Sequence, residues 1–258
     1  WLRLSPARRH WIDLVRPFRA RAAEAPLYCR TDSHWTFAGY LLAYGEICRH
    51  LGLAPRQDIL RRRIGSPAPY VGDLGLKFDP IRRETVESCL FETSARRIHA
   101  NRLVTAFEAE GRGQAAHIGA HVVYRNDSRE ADPRRLVLFA DSYGHHTSTP
   151  YTGSLTPLLA DTFREVHVLW STSIDWGYVE RVRPDLIHFH CIQRLDISML
   201  DVARRIGVPF VVTAHDGWWI SDHQFLIDAD GKIAQVWRKV KVPGHAEAVL
   251  EAAVALNG

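Results

Sequence analysis

The chain has 258 residues, 46% hydrophobic and 24% charged, which suits one large domain or two modest ones with a real core and excludes disorder, collagen-like repeats and disulfide-dense mini-folds. Its 33 basic and 29 acidic residues leave a net charge of +4, mostly from short Arg clusters such as Arg61-Arg62-Arg63; this weak bias lacks the basic stripe of a nucleic-acid binder and fits an anionic polysaccharide or phosphate-bearing substrate. No run approaches the ~18 apolar residues of a membrane helix and no leader is visible, so the chain is expected to be soluble and, opening at Trp1 without Met, to be a fragment.

In chain order, the first expected element is a helix over about residues 7–23. A short apolar run at Leu27-Tyr28-Cys29 then leads into Thr31-Asp32-Ser33-His34-Trp35. Behind Thr36, a side chain suited to cap a helix, Phe37, Tyr40, Leu41, Tyr44, Ile47, Cys48 and Leu51 recur at helical spacing, and Gly52 supplies the stop. The Asp-Ser-His triplet therefore lies at the N-terminal mouth of an amphipathic helix. Residues 53–130 are irregular, rich in Pro, Gly and Arg, with only Val122-Val123-Tyr124 clearly strand-like; they read as an insertion.

From residue 134 the rhythm sharpens. Leu136–Ala140 is a buried strand that delivers Ser142 into a turn, Thr156 and Pro157 start a helix that runs through Phe163, and Val166–Trp170 is the next strand. A helix over about 175–182, a strand at Leu186–His190, a helix from Asp196 to Ile206 and a strand at Phe210–Ala214 complete the series. Four strands separated by three helices predict an α/β fold with a parallel sheet covered on both faces. A last helix is expected at 245–256. The cysteines at 29, 48, 89 and 191 show no metal-ligand spacing and read as buried thiols.

Ser142 follows a buried strand, and ligands of open parallel sheets bind beyond the carboxyl ends of the strands. A serine nucleophile needs a base within hydrogen-bond reach and a third group that orients the base. Asp32 and His34 offer both within three residues, although a serine after a strand also reads as a turn residue and an Asp before a helix as a cap.

Tyr28-Cys29-Arg30-Thr31-Asp32-Ser33-His34-Trp35-Thr36-Phe37-Ala38-Gly39, Tyr70-Val71-Gly72-Asp73-Leu74-Gly75 and Phe139-Ala140-Asp141-Ser142-Tyr143-Gly144, in this order, resemble blocks of the SGNH-hydrolase-like polysaccharide O-acetyltransferases of the AlgX/AlgJ type. With Leu158–Phe163 and Arg183-Pro184-Asp185 the resemblance spans about residues 20–195. It implies an SGNH-like three-layer sandwich with a mainly parallel sheet, in which Ser142 takes an acetyl group, His34 is the base and Asp32 orients it. It further implies a polysaccharide acceptor, an acetyl donor supplied by a membrane acyltransferase partner, and a periplasmic or exported location; no cofactor or metal is expected. Ala140 departs from the Gly of the serine block. The Ser142 N–H is one expected oxyanion donor; Asn126, which also reads as half of an Asn-Asp turn, and Tyr143 are the further oxyanion or substrate candidates.

A second resemblance covers about residues 184–228. Pro184-Asp185-Leu186-Ile187-His188-Phe189-His190 and Gly207–Ser221 are similar to part of the N-terminal Rossmann domain of family-4 GT-B glycosyltransferases. The chain is thus expected to divide into an acetyltransferase or esterase domain, 1–195, and a C-terminal βα extension, 196–258. The alternatives are a fragment of a glycosyltransferase acting on a nucleotide-sugar, and a non-catalytic carbohydrate-binding module. His188, His190, His215, Asp216, Asp222 and His223 could form a metal cluster, but their alternation within strands favours structural histidines.

Overall fold

The computed structural model describes residues 10–62, 65–113, 118–145, 153–170, 176–190, 199–213 and 251. Its elements, in order, are α1 (Val15–Arg21), α2 (Phe37–His50), β1 (Ala68–Tyr70), β2 (Glu84–Val86), β3 (Arg96–Ala100), α3 (Arg102–Ala109), β4 (His121–Arg125), β5 (Asp132–Phe139), α4 (Leu155–Thr162), β6 (Phe163–Leu169), α5 (Trp176–Val182), β7 (Leu186–Phe189), α6 (Met199–Arg205) and β8 (Phe210–Val212). Six of the strands form one mixed sheet in the order β3-β4-β6-β5-β7-β8, while β1 and β2 make a separate antiparallel pair.

The four expected strands are β5 to β8, and they pair in parallel. Their continuous apolar runs follow from burial on both faces. On one face Leu136, Leu138, Val166, Val168, Leu186 and Val211 pack with Phe37, Tyr40, Tyr44 and Ile47 of α2 and Leu155, Leu158 and Leu159 of α4. On the other, Val137, Phe139, Ile187, Phe189, Phe210 and Val212 meet Val179 of α5 and Leu200 and Ala203 of α6. The α6 and β8 segment, which lies beyond residue 195, continues the same sheet.

Residues 53–130 are more ordered than their composition predicts. Here β4 sits between β3 and β6, antiparallel to both, with α3 packed on Val122. The signal was weak because β3 is an edge strand whose residues are mostly exposed, which leaves no apolar run. The loops of this region are fastened by polar contacts instead. The fully buried Asp161 of α4 accepts from Ser94 N at 2.6 Å and from Arg62 Nη2.

Two helix boundaries also differ from expectation. Residues 11–12 are extended, with Ile12 N donating to Val212 O at 2.9 Å, so the first described α-helix begins at Val15. Ser154, not Thr156, caps α4: its Oγ accepts from Thr156 N at 3.1 Å, while Thr156 Oγ1 turns to donate to Gly144 O. For α2 the expectation holds, because Thr36 Oγ1 accepts from Gly39 N at 3.2 Å and Gly52 adopts the left-handed conformation (φ 69°) that ends the helix. Cys29, Cys48 and Cys89 are buried free thiols, and burial pushes Cys29 up to about 12. No described helix is long and apolar enough to cross a membrane.

Candidate active site

The connection from β5 runs to β6 on one side, and the chain then crosses to β7 on the other. The parallel strands therefore change direction of winding between β5 and β7, where open α/β sheets place their ligand crevice. Ser142 follows the carboxyl end of β5 and His190 that of β7. Leu155 N donates to Tyr143 O at 2.9 Å, and Thr156 Oγ1 to Gly144 O at 2.9 Å, so the serine turn is pinned to the start of α4. Ala140 is buried immediately before it, its N–H on Leu169 O.

The Asp-Ser-His block is a tight excursion closed by an antiparallel bridge between Tyr28 and Trp35, with Cys29 N donating to His34 O at 3.0 Å. Within it, Asp32 is buried and its carboxylate receives four donors. Oδ1 accepts from His34 N at 2.9 Å and pairs with His34 Nδ1 at 2.5 Å; Oδ2 accepts from the Tyr70 hydroxyl and, at 3.4 Å, from Asp73 N. Burial works to raise the Asp32 pKa, but the hydrogen bonds from the His34 ring, from Tyr70 and from the His34 backbone outweigh it and hold the carboxyl well below the usual carboxylate range. A carboxylate on Nδ1 keeps the ring proton there, which leaves Nε2 with the lone pair that a general base needs. The His34 side chain retains 22% of its exposure, so the ring edge is accessible.

The block at residues 70–75 holds this turn in place. Ser33 N and Oγ donate to Asp73 at 2.9 and 3.1 Å, Leu74 N and Gly75 N donate to Thr31 O, and Gly72 N donates to Thr31 Oγ1 at 3.1 Å. From β2, Glu84 accepts from Arg30 N, Thr31 N and Thr31 Oγ1 at 2.7 to 3.0 Å. Tyr70, Asp73 and Glu84 were not singled out as site residues from the sequence. Their partners lie 38 to 54 positions away, which only a fold can reveal.

The two halves of the expected triad meet through Tyr143. Its hydroxyl donates to Ser33 O at 2.7 Å across 110 positions, and its ring lies 5.1 Å from the His34 ring and 4.5 Å from that of Trp35, centroid to centroid. Ser142, next in the chain, is half-buried. Among the described residues no hydrogen bond joins Ser142 Oγ to His34. The carboxylate and imidazole are thus paired, and the serine turn packs beside them without closing the last link.

Asn126 is not part of this assembly. It is fully buried after β4, at the end of the sheet where β6 begins, and its Nδ2 donates to Asp161 O at 2.8 Å while Oδ1 accepts from Ser128 N at 3.0 Å. With its amide committed at the opposite end of the parallel strands from Ser142, it cannot serve as an oxyanion donor there; the turn reading holds. Asp141 was not singled out from the sequence, and His190 was read only as a structural histidine or possible metal ligand. Asp141 Oδ1 accepts from Tyr143 N and Gly144 N at 2.9 and 3.2 Å and pairs with His190 Nδ1 at 3.0 Å, which ties the serine turn to the end of β7. His188 pairs with Thr213 Oγ1 at 3.0 Å, so both strand histidines are hydrogen-bonded within the fold. His215, Asp216, Asp222 and His223, the Trp218-Trp219 pair and the expected helix at 245–256, except for the helical Glu251, lie outside the described residues.

One test of the carboxylate cradle follows from its charge. Tyr70→Phe removes a donor to the charged form of Asp32, so the Asp32 pKa should rise. Because the folded-state pKa lies below the unfolded value of about 3.9, the ionised carboxylate stabilises the fold above that pH, and the contribution is lost as pH falls through the folded pKa. The variant should therefore melt below the parent near neutral pH, with the gap narrowing as pH drops under about 4. A gap of constant size across the titration would mean that Tyr70 contributes packing alone.

A scan against protein-family models matches no family, and a search of curated proteins finds no relative. Among solved structures the chain is similar to a DHHW family protein from Eubacterium siraeum DSM 15702, at 16% identity and a TM-score of 0.45, over 78% of this chain and 62% of that one.

Proposed function

We propose that the chain is an enzyme of SGNH-like three-layer architecture that transfers acetyl groups to a polysaccharide hydroxyl, or hydrolyses such esters, through an acetyl-Ser142 intermediate. The observation that carries this reading is the Asp32–His34 pair, built into a four-donor cradle and packed against the serine turn at the crevice of the sheet. In the proposed reaction Ser142 Oγ attacks the acetyl carbonyl while His34 Nε2 takes its proton. The tetrahedral intermediate collapses with loss of the donor alcohol, to which the imidazolium returns the proton. An acceptor hydroxyl or water then repeats the sequence on the acetyl-serine, and the choice between them depends on how well the ester is shielded from water. Asp32 stabilises the imidazolium in both halves.

The proposal requires that the His34–Ser142 link close when ester binds, as catalytic hydrogen bonds often do. The family resemblance adds the expectation of an exported protein supplied with acetyl groups by a membrane partner. Incubation with a nitrophenyl acetate, acid quench and peptide mass spectrometry should find one acetyl group on the peptide that contains Ser142, and none on that peptide in a His34→Ala variant. Acetyl groups only on lysines or on other serines would overturn the proposal.

A further inference from the structure

A cleft of about 530 Å³ opens at the other end of the sheet, where the parallel strands begin, and its walls carry Arg125, Arg135, Arg164, Arg183, Glu165 and Asp185. Asp127 lines it too, and each of the three acidic residues has a partner: Asp127 Oδ2 accepts from Arg96 Nη2 at 3.3 Å. Glu165 accepts from Arg125 Nη2 at 2.7 Å, Arg135 Nε at 2.9 Å and His167 Nε2 at 2.9 Å; Asp185 accepts from the Arg135 backbone N–H at 2.8 Å. Arg135 is fixed further by donation from Nη1 to Val182 O at 2.6 Å. Arg164 and Arg183 line the same cleft, their guanidinium groups make no hydrogen bond or ion pair with any described residue, and both residues are exposed.

Arg183 is also the one described non-glycine residue with a left-handed backbone, at φ 48°, just past the end of α5 and before Pro184. A helix end of this kind usually carries Gly, which adopts that conformation without steric cost. An arginine held there against backbone preference points to a use for its side chain.

We infer that this cleft is a second ligand site, separate from the serine crevice, which binds a small carboxylate or phosphate group between Arg164 and Arg183. Guanidinium groups bind carboxylate and phosphate oxygens in paired hydrogen bonds, and the cleft has the volume of a small-ligand pocket. Arg125 and Arg135, locked on Glu165, form its rigid wall. The inference does not depend on the acetyl-transfer reading.

The test is calorimetric titration of the chain at low ionic strength with glucuronate, glucose 6-phosphate and glucose. Saturable binding of at least one acidic sugar, with none of glucose, is expected, and the preferred acid tells carboxylate from phosphate. R183G should weaken that binding about tenfold or more while it melts at or above the parent temperature, because glycine relieves the backbone; R164Q should weaken it to a similar extent. Equal binding of glucose, no saturable binding of either acid, an unchanged affinity in R183G, or a lower melting temperature in R183G would each overturn the inference.

Discussion

Ser142→Ala should lower kcat/KM on a nitrophenyl acetate by about a thousandfold or more, His34→Ala should do nearly as much, and the double variant should be little worse than either. Non-additivity is the diagnostic result. If the hydroxyl and the imidazole act as one unit, removal of either abolishes the same step and the second change has little left to remove. Asp32→Asn should be milder, because it leaves the base and the nucleophile in place and alters ring orientation and tautomer. Losses that multiply would assign Ser142 and His34 to separate roles, and wild-type turnover by Ser142→Ala would end the proposal. The four-donor cradle around Asp32 gives this test its force: His34 is oriented before any substrate arrives, so the effect of its removal cannot be attributed to a floppy side chain.

The part of the fold that was legible in the sequence is the part where burial is two-sided and local. Leu136–Phe139, Val166–Leu169, Leu186–Phe189 and Phe210–Val212 are apolar, apart from the buried His167 and His188, because both faces of each strand are covered, so four strands and their parallel pairing could be read from runs and spacers. Thr36 and Gly52 bracket α2 by chemistry that acts within four residues. β3 escaped notice because an exposed edge strand has no such constraint, and α4 was started two residues late because Ser154 and Thr156 are both good caps, and only Gly144 O shows which one is otherwise engaged. In the site, the Asp32–His34 pair is local in sequence and was anticipated, whereas its supports are not. Tyr70, Asp73, Glu84 and His190 act through contacts 38 to 54 positions long; the 70–75 block and His190 were noticed in the sequence, but their partners could not be read there. Asn126 failed as an oxyanion donor for the converse reason: its local context suits either role, and the direction of β4 carries it to the wrong end of the sheet.

Gly72→Ala should damage both stability and activity, for a steric reason. A methyl group at residue 72 would overlap the Asp32 Cβ and the Thr31 carbonyl oxygen and come within 2.5 Å of Asp32 Oδ2. These neighbours cannot swing aside: Thr31 O already accepts from Leu74 N and Gly75 N, and Asp32 is held by His34 and Tyr70. Either the loop at 70–75 or the Asp-Ser-His turn must move, at a cost of about 1–3 kcal/mol, typical of overpacking. Any such movement pulls Asp32 away from His34, so kcat/KM on the acetyl ester should fall much further than the folded fraction does. Gly45→Ala provides the control. Gly45 lies within α2 with no atom beyond its chain neighbours and its own helix backbone within 4 Å of the added methyl, so alanine there should stabilise the protein by about 0.5–1 kcal/mol and leave turnover unchanged. Denaturant midpoints and ester kinetics on the two variants separate the effects. A Gly72→Ala protein with parental stability and parental kcat/KM would show that the loop yields freely, and that the position of Asp32 is not what the 70–75 block is there to hold.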